Sequence, residues 1–194
     1  MSWAIFAWRV PLFLVLQPVL LGFIAYLLWD DTFQIKTELS RGFGLSALAG
    51  IIGTFSVLGG GIALATSELF PHQFLSFPRY RPDIWLMVML LYPILSVVAQ
   101  ELVFRTFFFH RYGPLFRDAK WLAVLTNGAV FGFGHIIFGN IIAVFGSMAI
   151  GFLLAYRYYQ TRSFWAVWFE HTLYGCLVFT VGLGGFFFTG VSNL

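Results

Sequence analysis

Five polar residues fall inside stretches otherwise apolar enough to lie in a membrane: Gln100, Glu101 and Arg105, then His135, then His171. A charged side chain at the middle of a bilayer costs at least ~2.5–3.5 kcal/mol on insertion scales, so such residues are rare and mark sites, relays or pathways. Glu101 and Arg105 are four apart, which on a helix puts them on one face about a turn, ~6 Å, from each other. They can pair, and pairing would neutralise the carboxylate and fix its direction, as a structural staple and a catalytic base both require. His135 follows Phe131 by one turn in F-G-F-G-H, with Asn127 a further turn back, so the three share one side of a helix. Gly128, Gly132 and Gly134 strip bulk from that helix and let another backbone come close. In E-H-T-L-Y-G, His171 has Glu170 beside it, ~100° around the helix and within expected reach of an interfacial arginine such as Arg162. Taken singly, each imidazole reads equally well as a group bonding a neighbouring helix. Together, a carboxylate, two imidazoles and a guanidinium are the parts that activate a water and stabilise an oxyanion. A two-histidine, one-carboxylate zinc shell from Glu101, His135 and His171 is the variant of this reading. No H-E-x-x-H pair offers two ligands from one helix, so the expectation is a site without metal or other cofactor.

The elements that must position these residues are membrane helices. The chain has 194 residues, 60% hydrophobic and 10% charged, with 25 Phe and 7 Trp, and a mean hydropathy of +0.86. These values lie far outside soluble globular usage and point to an all-α polytopic bundle in a single integral domain, residues 1–194. Apolar runs of about the ~20 residues that a span needs extend from Trp3 to Trp29, Gly42 to Thr66, Asp83 to about His110, Trp121 to Phe138, Ile141 to Tyr159 and Phe164 to Phe188. That predicts six spans, with Gly59, Gly60 and Gly61 softening the second and Gly182, Gly184 and Gly185 weakening the end of the sixth. The first run is too long for a signal peptide and lacks a small-residue cleavage site. Lys36, Arg41, Arg111, Arg117, Lys120, Arg157 and Arg162 gather in the odd loops, against Arg9, Arg79 and Arg81 opposite. The odd loops are therefore expected in the cytoplasm. The net charge of +3 is small and scattered, which argues against nucleic acid as a partner. Cys176 is the single cysteine, so no internal disulfide forms and a small packing residue is expected there. By residue counting, Glu101 and His171 fall toward one half of the membrane and His135 several residues into the other.

Gln100-Glu101-x-x-x-Arg105, Phe131-x-x-x-His135 and His171-x-x-x-Gly175, in that order and in an aromatic-rich context, resemble the CPBP family of intramembrane proteases, which includes the type II CAAX prenyl endopeptidases. The resemblance covers about residues 83–180. It implies peptide-bond hydrolysis by direct attack of water, without an acyl-enzyme, on a membrane-embedded or membrane-proximal peptide. By the same resemblance Glu101 and His135 activate the water, His171 is the main donor on the oxyanion side, and Arg105 holds Glu101 or balances its charge. Gln100 would orient substrate through its amide, and Asn127 would help His171. The small size implies a compact prokaryotic member in the inner membrane. At two positions the chain differs from the family pattern: Gln100 stands where the family has its first Glu, and Gly175 stands where the third motif has a polar side chain. A glutamine takes no proton from water at ordinary pH. The same residues therefore also suit an inactive relative that binds peptides or partner membrane proteins through the same cavity. A proton- or ion-coupled carrier would use buried Glu, Arg and His as well, but no matching halves are visible.

Overall fold

The computed structural model describes residues 12–187, with side chains from Pro18 onward, and these are almost entirely helical, with no strand among them. The helices are α1 Leu12–Trp29, α2 Ile35–Ser40, α3 Leu45–Leu69, α4 Ser76–Tyr80, α5 Pro82–Arg111, α6 Lys120–Gly134, α7 Ile141–Thr161 and α8 Phe164–Thr180. Four are long and apolar enough to cross a membrane: α3, α5, α7, and α6 together with the 3-10 turn His135–Phe138 that extends it. The shorter apolar α1 and the 17-residue α8 occupy the places expected for the first and sixth spans. In lipid, only helices leave no backbone group unsatisfied, which is why this composition gives an all-α polytopic bundle.

The ends follow local chemistry. Asn140 caps α7 by accepting from the Ala143 N–H at 2.8 Å, and Ser163 caps α8 by accepting from Ala166 at 3.3 Å; such caps satisfy donors that a helix start leaves orphaned. Several expected boundaries move. The polar loop after α1 contains α2, and the proline-rich loop before α5 contains α4. Gly59, Gly60 and Gly61 stay inside an uninterrupted α3. The sixth run ends at Thr180 rather than Phe188, because Gly182 takes φ +98° and the chain turns into a short 3-10 segment, Gly184–Phe187. Phe188, Arg9 and the stretch from Trp3 to Pro11 lie outside the described residues.

α5 is not a uniform α-helix. Two π-helical stretches, Pro93–Val97 and Leu102–Phe107, bracket a single α turn, Val98–Glu101. Pro93 lacks an N–H and its ring crowds the preceding turn, a conflict that a wider turn relieves. Wider turns also tilt carbonyls toward neighbours: Trp168 Nε1 on α8 donates to the Pro93 carbonyl at 2.9 Å, and the Asn127 amide on α6 donates to that of Phe104.

Between α6 and α7 the packing is made by missing side chains. A Cβ on Gly128 would lie 2.0 Å from the Phe152 ring, and one on Gly132 would lie 2.5 Å from Met148 Cβ. Without a hydrophobic driving force between helices in lipid, such close backbone approach is the main source of adhesion. α1 lies against α5 through Phe107, whose ring sits 4.7 Å from Phe23 and 5.5 Å from Tyr26, and through a 3.0 Å contact from His110 to Asp30. The Thr32 hydroxyl and then His110 hold the Asp30 carboxyl down to about 2, so this tether keeps its negative member through the neutral range. α2 is pinned to the start of α8, with Ser163 Oγ donating to the Arg41 carbonyl and Trp165 Nε1 to that of Leu39, both at 2.7 Å. Phe108 and Phe109 join Val124, Leu154, Tyr158 and Val167 in the main core cluster, and so act as packing residues.

Glu170 pairs with Arg157 and not with Arg162. Arg157 Nε and Nη2 meet its two carboxylate oxygens at 2.8 and 3.1 Å, and Thr54 adds a 3.0 Å bond from α3. Arg162 cannot compete because it terminates α7 in a left-handed conformation, φ 49°, and lies over Phe109 and Tyr159. Removing one partner of a buried pair strands the other, so Glu170→Ala is expected to lower stability by about 3–5 kcal/mol in detergent unfolding. The double replacement Arg157→Met, Glu170→Leu is expected to recover most of that loss.

Candidate active site

Glu101 ends the α turn between the two π stretches and is 0% exposed. Its Oε1 accepts from His171 Nδ1 at 2.7 Å, and its Oε2 lies 3.5 Å from Arg105 Nε. At an effective dielectric near 20, opposite charges about 4 Å apart gain about 4 kcal/mol, comparable with the cost of holding a carboxylate in the membrane interior. Arg105 is also fully buried, and its guanidinium carbon stands 4.6 Å over the Phe131 ring. None of its three nitrogens has a hydrogen-bond partner among the described residues, nor does Glu101 Oε2.

Phe131 is the hub that joins the motifs. Its ring centroid lies 4.7 Å from that of His135, 5.5 Å from that of His171 and 5.1 Å from that of Phe104. One aromatic face and edge thus collect the cation of α5 and the imidazoles of α6 and α8. The helix tightens from α to 3-10 at His135, and the Phe131 ring lies between that imidazole and His171.

His135 is half-buried, and its Nδ1 faces the Phe131 carbonyl at 2.8 Å. A carbonyl only accepts, so Nδ1 carries the hydrogen and Nε2 keeps the lone pair. Glu101 therefore takes His171 as its direct partner, while the expected partner His135 is reached through Phe131. The far nitrogen of His171, Nε2, lies 3.3 Å from the Tyr92 hydroxyl. Gln100 donates from Nε2 to Ser96 Oγ at 2.8 Å, and its Oε1 is buried without a partner among the described residues. Asn127 makes its hydrogen bond to the Phe104 carbonyl, on the π stretch, rather than beside His171. Trp168 likewise packs and bonds to α5. Among the described residues no three His, Cys, Asp or Glu side chains are grouped to hold a metal ion; Glu101, His135 and His171 do not form a shared shell.

Residues 82–177 match the family model described as "Type II CAAX prenyl endopeptidase Rce1-like". The chain carries an Rce1-like domain of the CPBP family. The Rce1-like segment contains every residue placed at the site, from Tyr92 on α5 to Gly175 on α8. It supports a CAAX-type intramembrane protease function in general terms and, with the apolar helices, an integral multi-pass membrane protein. No curated protein and no solved structure matches the chain.

Sequence reasoning had no means of finding Tyr92 in the Rce1-like segment. It is one aromatic among many, and the only clue was the vacancy at Gly175. The tautomer assignment is open to direct test. In ¹⁵N spectra of histidine-labelled protein, assigned with His135→Ala, His135 is expected to show an unprotonated Nε2 and a protonated Nδ1; the reverse pattern would contradict the Phe131 carbonyl contact.

Proposed function

We propose that this protein is an intramembrane endopeptidase that hydrolyses a peptide bond in a membrane-associated peptide, with His135 as general base and acid and Glu101 positioning His171. The observation that carries this reading is the fully buried Glu101 carboxylate held between His171 Nδ1 at 2.7 Å and Arg105 at 3.5 Å. In the proposed reaction, His135 Nε2 takes a proton from water as the water oxygen bonds to the scissile carbonyl carbon. The carbonyl electron pair moves to oxygen, giving an oxyanion. The C–N bond then breaks, and the amine leaves with the proton that His135 returns. Glu101 accepts from His171 Nδ1 and so fixes that ring, whose Nε2 side is turned to the oxyanion. Glu101 thus acts through His171, and Arg105 balances the carboxylate's charge and fixes its direction. Gln100 contributes its unpartnered Oε1 as an acceptor for a substrate N–H.

A second reading has one observation in its favour. Gln100 replaces the carboxylate of the family pattern and turns its amide to Ser96, which suits a noncatalytic binder of peptides or membrane partners.

Purified protein in lipid, offered an internally quenched S-farnesylated CAAX peptide and its unprenylated twin, separates the two. Cleavage by the wild type is expected, with kcat lower by about 10²–10⁴-fold in His135→Ala and in Glu101→Gln, and with peptide binding retained in both. Equal signals from all three proteins would favour the binder.

A further inference from the structure

The third motif ends at Gly175, which brings no polar group, yet the space beside it is filled. A Cβ on Gly175 would lie 2.3 Å from Tyr92 Cε1 and 2.5 Å from the Tyr92 hydroxyl. Real Cβ atoms do not tolerate such distances, so the ring stands where a side chain on α8 would begin. Tyr92 comes from α5, the last residue before Pro93 and the first π stretch. Its ring is held edge-on to Phe179 at 5.4 Å and near His171 at 6.4 Å. Its hydroxyl is 3.3 Å from His171 Nε2, on the side away from Glu101. A chain of polar groups thus runs from Arg105 through Glu101 and His171 to a half-buried phenol.

We propose that Tyr92 is a further catalytic residue: its hydroxyl, from α5, donates to the oxyanion in the place that Gly175 leaves empty on α8. This rests on the hydrolytic reading above. With Nδ1–H given to Glu101, His171 Nε2 lies 3.3 Å from the Tyr92 oxygen and holds the phenol in place. With substrate bound, the Tyr92 O–H turns from Nε2 to the carbonyl oxygen. As water attacks and the C=O electron pair moves onto that oxygen, the Tyr92 hydrogen bond strengthens and no proton need leave the phenol. When the C–N bond breaks, the pair returns to the carbonyl and the bond weakens again. Donors that tighten only as charge develops raise kcat and leave ground-state binding almost unchanged.

The test uses the same farnesylated peptide and full-length protein in lipid. Tyr92→Phe keeps the ring and removes only the hydroxyl. Its kcat is expected to fall about 100-fold, the typical cost of one oxyanion donor, with KM and thermal midpoint close to those of the wild type. Gly175→Asn combined with Tyr92→Leu returns a donor from α8 and clears the ring from its path. That pair is expected to recover at least about tenfold over Tyr92→Leu alone, a rescue that a merely structural tyrosine would not give. Wild-type cleavage with Tyr92→Phe within about threefold in kcat overturns the assignment and leaves the protease reading standing. No cleavage by the wild type overturns the protease reading and this assignment with it.

Discussion

A carboxylate with no exposed surface, in a chain whose surroundings are lipid and aromatic rings, persists only if its neutralising partners are built around it. Glu101 has Arg105 on the next turn of its own helix and His171 from α8, and Phe131 of α6 lies against both partners. Three helices are thereby committed to one point. Two buried arginine–carboxylate pairs among the described residues differ in kind. Arg157 and Glu170 meet through two short bonds with Thr54 closing the set, a satisfied network of the kind that stiffens a fold. Arg105 and Glu101 meet once, at 3.5 Å, and leave guanidinium and carboxylate atoms without hydrogen bonds among the described residues. Unsatisfied buried polar atoms are costly in a native protein and call for a function.

What was legible in the sequence concerned faces and ends. Glu101 and Arg105 share a face because both lie on α5, and the seam of Gly128 and Gly132 predicted the close approach that α7 makes. The break between α6 and α7 was visible as the gap between the apolar runs ending at Phe138 and starting at Ile141. Cross-helix choices were not legible: Glu101 selects His171 over His135, and Glu170 selects Arg157 over Arg162. Periodicity tells which side of a helix a residue occupies and says nothing of which neighbour stands opposite. Counting residues along a span assumes a constant rise per residue, whereas α5 widens twice and the end of α6 narrows. Tyr92 was illegible because a tyrosine beside a proline in an aromatic-rich span carries no signal of its own. α2 and α4 are short, and their polar and proline content reads as loop.

The polar groups that cross between helices have a mechanical meaning. Trp168 holds the Pro93 carbonyl, His171 holds Glu101 and Asn127 holds the Phe104 carbonyl, so α8 and α6 are each indexed to α5 at successive heights along its axis. Apolar faces in lipid can slide past one another at little cost, but these bonds cannot be shifted by a turn without stranding a buried donor. When such a bundle meets a bilayer thicker or thinner than its apolar length, the mismatch has to be met by tilting or by deforming the lipid, at fractions of a kcal/mol per Å. The indexed helices then move as a block. The spacing of the buried charges is thus insulated from membrane composition, and lipid thickness sets the attitude of the protein in the membrane while leaving the register of its interior unchanged.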